Sequence, residues 1–324
     1  MKIKSITTEI KHIPLKTPFI TALRRVENVE FVRVKVVCDN ALSAFGEAPA
    51  TVAITGEDLE IITNSINSLR QELSSHTLQQ ALTLLHQTNI GTSAKAALDM
   101  AFVDLLAQEQ GKELYEYLGA KEKIDIKSDI TISLNETAKM LQDAKEAYKD
   151  GHDILKVKLG SDINHAIEVT KKLSSTLPIA TLLIDANQAW SLEDSLLYVK
   201  RVKDIKIELI EQPVNAADIA SLKIITQATD IPILADEAAF SLEDVKQIIA
   251  TQSADMINVK LMKCGGVTKA IEILEYCKKK NVGCMLGSML EGPISINAAM
   301  HLAMAYSDVI KYVDLDSPLL YKEL

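Results

Sequence analysis

The chain is poor in aromatic residues, 4% of 324, and no cluster of lysine and arginine interleaves with the few it has. With a formal net charge of −9 as well, the sequence argues against nucleic acid as a partner. No apolar run approaches the length of a membrane span, and Met1 to Ile10 alternates polar with apolar residues instead of forming a secretory core. The expectation is a cytoplasmic protein with no membrane partner. Cysteine is scarce too: Cys38, Cys264, Cys277 and Cys284 form no C-x-x-C pair, which fits reduced, mostly buried thiols better than a zinc site. The six histidines offer no obvious catalytic base, and His152 and His301 read as ordinary helix or loop residues.

What the sequence does have is a ladder. Asp153-Ile154-Leu155-Lys156-Val157-Lys158-Leu159-Gly160 is a short apolar run with two lysines two residues apart, which in a strand share one face. Alone, that pair fits a solvated edge strand. Five further runs follow, each closing on a polar residue: Leu182 to Asp185, Ile207 to Glu211, Ile231 to Asp236, Met256 to Lys260 and Gly283 to Ser288. Steps of 27, 26, 25, 24 and 28 residues separate Lys158, Asp185, Glu211, Asp236, Lys260 and Ser288, the length of one strand, helix and turn. Amphipathic stretches such as Ile163 to Leu177, Leu192 to Val202 and Val267 to Lys280 lie between. Ile130-Thr131-Ile132 adds a rung before and Tyr312 to Asp316 one after. Eight rungs predict an α/β fold, a closed β/α barrel with its active site at the C-terminal strand ends, where the polar residues fall.

The chain is long for one such barrel, which takes about 250 residues, so a second, smaller domain is expected. Residues 1–122 lie outside the ladder and read as an α+β cap. In it, Ile3 to Ile13 and Phe31 to Cys38 are antiparallel strands, while Leu59 to Leu69, Leu78 to Leu85 and Thr92 to Gln110 are helices. Pro14 to Asn28, which carries Phe19, Ile20, Arg24 and Arg25, is too long for a tight hairpin and reads as a functional loop. Gly46 to Gly56 is the other candidate for closing over a pocket, and solvated surface is the plain alternative for the arginines. The barrel is assigned to 123–316, and a tail, 317–324, is expected to pack near the cap.

Asp185, Glu211 and Asp236 would end three successive strands. Three converging carboxylates are costly without a cation, and as hard oxygen ligands they suit an octahedral Mg²⁺ that keeps positions open for substrate. Separate ion pairs at the three strand ends are the structural alternative. Asn187 would support that shell, and Glu237 would hydrogen-bond Lys260. Lys158 and Lys260 lie four strands apart in a ring of eight, so their amines face one another across the mouth. Within the K-x-K pair, the like charges of Lys156 and Lys158 and their burial are expected to lower a lysine's pKa toward neutrality, so that it can act as a base. A base on each face of a carbon acid is what inversion of a stereocentre requires: one lysine removes a proton and the other returns one. The substrate carboxylate then becomes an enediolate, whose added charge the metal and Lys156 would stabilise.

The K-x-K at Lys156 and Lys158, the Asp185/Glu211/Asp236 triad and Lys260 in Lys260-Leu261-Met262-Lys263-Cys264-Gly265-Gly266 resemble the enolase superfamily, muconate lactonizing subgroup, over nearly the whole chain. The resemblance implies a (β/α)7β barrel, a modified TIM barrel, behind an N-terminal α+β capping domain, with Mg²⁺ as cofactor. The subgroup includes dipeptide epimerases, muconate cycloisomerases, o-succinylbenzoate synthases and N-acylamino acid racemases. Strand eight separates them. Asp314 and Asp316 share a face across the pocket from the metal, which calls for a substrate with a carboxylate at one end and an ammonium at the other. This D-x-D resembles that of the dipeptide epimerases, where it holds the N-terminal amine. The same resemblance puts Thr131, Lys156 and Ser288 at the substrate and Arg24 on a glutamyl side chain. It implies interconversion of L-Ala-L-Glu and L-Ala-D-Glu, or of related dipeptides, in murein-peptide metabolism. The sequence departs from the family where Gly292-Pro293 follows Glu291 in place of a small polar residue, so a locally different strand-seven loop is expected.

Two other classes stay open. A Schiff-base aldolase at Lys158 or Lys260 would not need three carboxylates. A non-catalytic barrel that keeps its metal site for binding would not need opposed bases. The sequence leaves the preferred dipeptide open, and with it the oligomeric state, a homo-oligomer included.

Overall fold

The computed structural model describes residues 1–322. Strands β1 (Ile3–Ile20), β2 (Arg25–Cys38) and β3 (Ser43–Pro49) form an antiparallel sheet in that order. Helices α1 (Val52–Thr55), α2 (Leu59–Leu73), α3 (Leu78–Gln87), α4 (Thr92–Glu109) and α5 (Leu114–Tyr117) complete the cap. Val32, Val34, Val36 and Cys38 recur every second residue along β2 and are all buried, one face of the sheet turned into the core. Helix α4 is buried nearly all round because it lies between this sheet and the barrel. It therefore seats the cap on the barrel.

The barrel runs β4 (Ile130–Ile132), α6 (Thr137–Lys149), β5 (Ile154–Lys158), α7 (Ile163–Thr176), β6 (Thr181–Asp185), α8 (Leu192–Val202), β7 (Leu209–Glu211), α9 (Ile219–Gln227) and β8 (Ile233–Ala235). It continues with α10 (Leu242–Thr251), β9 (Met256–Lys260), α11 (Leu261–Cys264), α12 (Val267–Lys280), β10 (Gly283–Gly287), α13 (Pro293–Ala305) and β11 (Ile310–Asp314), and a last turn, α14 (Ser317–Leu320), follows. The eight strands pair in parallel in chain order from β4 to β11. The seam between β4 and β11 is sealed by single bonds instead of a ladder. Asp129 donates its N–H to the Val313 carbonyl (2.9 Å), Leu315 its N–H to Ser128 Oγ (2.8 Å), and Thr131 its N–H to Asp316 Oδ2 (2.7 Å). The result is a nearly closed (β/α)7β barrel with a separate α+β cap.

Three stretches differ from the sequence reading. The expected loop from Pro14 to Asn28 is mostly strand: pairing resumes at Phe19↔Val26 and Ile20↔Arg25 after a register shift between Pro14 and Phe19. Pro14 and Pro18 flank that bulge, where a residue without an N–H is tolerated, and only Thr21–Arg24 forms the turn. The expected loop from Gly46 to Gly56 is likewise partly regular: it begins as the end of β3, up to Pro49, and holds α1, Val52–Thr55. Gly46 marks a close approach, since a Cβ there would come 1.9 Å from the Ala97 carbonyl oxygen of α4. Strand β11 ends at Asp314, so Asp316 lies beyond it with helical backbone angles and does not share a strand face with Asp314.

The departure at Gly292-Pro293 has a packing cause. Gly292 caps α13 without a side chain of its own, Pro293 opens the helix, and Glu47 of β3 supplies the missing acceptor to Ile294 N (2.8 Å) and Ser295 N (3.2 Å). Glu47 is fully buried and also pairs with Arg33 (2.6 Å). Replacing it by alanine leaves two helix N–H groups and a guanidinium without their acceptor. Chemical unfolding of Glu47→Ala should show a loss of about 2–4 kcal/mol, with a smaller loss for Glu47→Gln, which keeps one acceptor.

The C-terminal segment returns to the cap. Leu15 bridges Tyr321, Lys322 donates its N–H to the Pro14 carbonyl (2.8 Å), and Lys16 Nζ donates to the Leu319 carbonyl (2.9 Å). Glu323 and Leu324 lie outside the described residues. No helix among the described residues is long and apolar enough to cross a membrane.

Candidate active site

Alternation along the strands sets the site's depth. Leu183, Leu209, Leu234, Met256 and Met285 close the barrel interior as an apolar floor. Two residues further along β6 and β7, on the same inward face, stand Asp185 and Glu211, and Asp236 follows β8 in the same way. Lys158 pairs with Asp185 in register on β5, and Lys260 ends β9, four strands round the barrel from β5. Gly287 lies beside Lys260 because a Cβ there would come 2.6 Å from Asn258 Oδ1 and 2.9 Å from Lys260 Cε.

The lysines and carboxylates are interleaved. Lys158 Nζ lies 2.5 Å from Asp185 Oδ2, and Lys260 Nζ lies 2.6 Å from Asp236 Oδ2. Lys156 Nζ sits among Asp314 Oδ2 (2.5 Å), Glu211 Oε2 (2.7 Å) and Asp185 Oδ2 (3.3 Å). The expectation of a depressed lysine is overturned at Lys156. Burial does act to lower Lys156 and Lys260, but the facing carboxylates outweigh it and hold both ammonium groups above their ordinary value. Burial works against ionised Asp185 and Asp236 too, and there the lysines win, keeping both low. Glu211 is the exception: burial and the charges of Asp185 and Asp236 push it up to about 8.

Oxygen donors are therefore in excess of the cations around them. Glu211 Oε2 lies near Lys156 without accepting a hydrogen bond of good geometry, and Asn187 Oδ1 is buried without a donor among the described residues. Such a set, two ionised carboxylates, a third held back by burial and their charge, and a spare amide oxygen, is what a hard divalent cation takes. In donor type the residues suit Mg²⁺. The sequence placed Glu237 on Lys260, but Glu237 instead accepts from Asn187 Nδ2 (3.3 Å), and Lys260 donates to Asp236. Burial and the neighbouring Asp236 and Asp185 charges raise Glu237 to about 7.

The opposite wall is acidic as well. Asp314 and Asp316 are buried across from the triad, and Asp316 Oδ2 takes the Thr131 N–H. Ser288 donates both its N–H (2.9 Å) and its hydroxyl (3.1 Å) to the Asp314 carbonyl, which fixes the end of strand β11. The cap supplies the roof: Phe19 of β1 presents its ring 6.0 Å from Lys158 Nζ, and Leu23 and Arg24 of the turn reach the same space. Burial pulls Arg24 down to about 10, so it stays charged at neutral pH.

One cavity of about 50 Å³ joins these groups. Of the residues singled out in the sequence, Arg24, Thr131, Lys158, Asn187, Asp236, Glu237, Lys260, Ser288, Asp314 and Asp316 line it. Lys156, Asp185 and Glu211 do not; they lie fully buried beneath its floor. Sequence reasoning missed Asn258, which donates Nδ2 to Glu211 Oε1 (2.7 Å), and Lys263, which donates to Asp236 Oδ1 (2.5 Å), the Asp236 carbonyl (2.6 Å) and the Asn258 carbonyl (2.8 Å). Asn258 was findable as the inward residue two before Lys260. Lys263 was not, because it acts from the turn after the strand.

The fold and this mouth define an enzyme of the (β/α)7β-barrel class with an α+β cap over a carboxylate-rich site. Residues 4–119 match the mandelate racemase / muconate lactonizing enzyme N-terminal domain, and residues 139–323 match the enolase C-terminal domain-like family. The chain belongs to this family, within the enolase superfamily. It is 58% identical over its full length, and over 95% of the relative, to the L-amino acid-D/L-Glu epimerase of Sulfurimonas denitrificans. The substrate-liganded structure of the L-Ala-D/L-Glu epimerase from Bacillus subtilis superposes with a TM-score of 0.96 at 37% identity, covering 100% of this chain and 92% of that one. A dipeptide epimerase from Enterococcus faecalis complexed with Mg and L-Leu-L-Tyr gives 0.95 at 33% identity, with the same coverage.

Proposed function

We propose that the protein is a Mg²⁺-dependent dipeptide epimerase that interconverts L-Ala-L-Glu and L-Ala-D-Glu by a two-base proton transfer at the glutamyl α-carbon. The observation that carries this reading is the polarity of one small cavity: Asp236 in its wall, with Asp185 and Glu211 buried behind it, offers oxygens to a cation, Asp314 and Asp316 also line it, and Lys158 and Lys260 stand on opposed strands. Bound by those three carboxylates, Mg²⁺ would supply positive charge for a substrate carboxylate during α-deprotonation. Asp314 and Asp316 bind the ammonium at the other end, which orients the peptide along the cavity. Lys158 takes the α-proton of one epimer and Lys260 delivers one to the opposite face; for the other epimer the roles exchange, which needs Lys260 neutral, and a cation taking Asp236 would remove the charge that holds Lys260 as an ammonium. Lys156 adds a fixed positive charge beneath the carboxylate end.

Arg24 lines the roof of the cavity, and in this reading it pairs with the substrate's acidic side chain. The Arg24→Ala variant should lose about 10- to 100-fold in kcat/KM for L-Ala-L-Glu and far less for a dipeptide ending in an apolar residue. N-acetylation of the same substrates tests the amine wall, because an uncharged amide leaves Asp314 and Asp316 unmatched. Wild type that turns over N-acetyl-amino acids as well as free dipeptides would point instead to the N-acylamino acid racemases of the subgroup.

A further inference from the structure

Asp129 is completely buried two residues before Thr131, and neither of its carboxyl oxygens has a hydrogen-bond donor among the described residues. It faces the amine wall. Asp129, Asp314 and Asp316 each offer an oxygen within 4.8 Å of the others, and among the described residues no other set of three acidic side chains does so. The charged groups around it are Asp314 and Asp316 from the end of β11 and Lys156 from β5. Lys156 is already shared with Asp314 Oδ2 (2.5 Å) and Glu211 Oε2 (2.7 Å). Three ionised carboxylates around that one shared cation, one of them with no donor, is an arrangement a buried site does not sustain. Carboxyls this close relieve the repulsion by keeping a proton between them.

The distribution of that proton follows from the surroundings. Burial and the Asp314 charge, with Asp316 behind it, hold Asp129 well above the carboxylate range against the pull of Lys156. At Asp314, burial is outweighed by Lys156, Lys158 and Lys260, so it stays ionised, while burial and Asp314 raise Asp316 only to about 6. We propose that Asp129 is a positioning residue of the amine subsite: as a neutral acid it donates its O–H to the Asp314 carboxylate, fixing that side chain and leaving the remaining oxygens of Asp314 and Asp316 for the substrate ammonium. The wall then carries two negative charges, not three, and its third carboxyl is a donor, not a competitor. This inference rests on the dipeptide reading for its kinetic consequence but not for the protonation state.

Infrared difference spectroscopy of the Mg²⁺-loaded enzyme, wild type minus Asp129→Asn, reads that state. The expected result is the C=O stretch of a protonated carboxylic acid at neutral pH, shifted in D₂O and lost in Asp129→Asn. In kinetics with a free dipeptide, Asp129→Ala should raise KM about 10- to 100-fold with kcat changed much less. Asp129→Asn keeps an N–H donor toward Asp314 and should recover most of that loss. A spectrum without the acid band, whether because Asp129 is ionised or because a cation occupies the cluster, overturns the proposal. So does an unchanged KM in Asp129→Ala. A wild type that turns over no dipeptide would refute the substrate reading instead, and the infrared result would still judge Asp129.

Discussion

Lys158→Ala and Lys260→Ala should each lose epimerisation by roughly 10³-fold or more, because each removes the base on one face of the α-carbon. The informative readout is the residue of activity. With one lysine gone, the remaining amine can still exchange the α-proton of the epimer that presents its hydrogen to that side. In D₂O, Lys158→Ala should therefore wash out the α-proton of one epimer and Lys260→Ala that of the other. Both amines are seated by carboxylates that remain in the variants, Asp185 for Lys158 and Asp236 for Lys260. Removing one lysine leaves the opposite amine and its partner in place. Equal residual exchange of both epimers in both variants would contradict the assignment of the bases to opposite faces.

The second large effect is expected at the triad. Asp236→Asn should reduce turnover by about 10²–10³-fold and weaken Mg²⁺ binding in a calorimetric titration. Asp236 has the most to lose structurally, since Lys260 and Lys263 both bond its carboxylate. A neutral amide there leaves two buried ammonium groups short of a partner, so stability has to be measured alongside activity. Asp185→Asn and Glu211→Gln separate the two effects. Glu211 already sits at about 8 through burial and its acidic neighbours, so Glu211→Gln should leave the fold intact while losing metal affinity. Full activity of a chelated enzyme would sink the metal assignment altogether.

The barrel was legible because its signal repeats. Apolar runs at a near-constant step, each closing on a polar residue, mark consecutive strand–helix units, and the inward alternation that places Asp185 and Glu211 above Leu183 and Leu209 follows from strand geometry alone. The cap was less legible. Pro14 and Pro18 hid a strand that continues past its bulge, and Gly46 looked like loop chemistry when its role is to let α4 approach β3. Both depend on contacts far off in sequence. The pKa expectation failed at Lys156 for a similar reason: the K-x-K spacing shows two like charges, but not that Asp185, Glu211 and Asp314 surround Lys156. Asp316 was placed at the right wall for the wrong reason, since it reaches Thr131 from beyond the strand end. Asp129 carried no signal at all, because a single aspartate before a short strand looks like a turn residue until the barrel closes over it.

Proton transfer at the α-carbon of a free dipeptide is tested most directly by following L-Ala-L-Glu by ¹H NMR in D₂O with the Mg²⁺-loaded enzyme. The glutamyl α-proton should be replaced by deuterium while L-Ala-D-Glu appears, the alanyl α-proton should be untouched, and both changes should stop when Mg²⁺ is chelated. Retention of the glutamyl α-proton across a panel of dipeptides, or exchange that continues without metal, would contradict the two-lysine, metal-assisted mechanism.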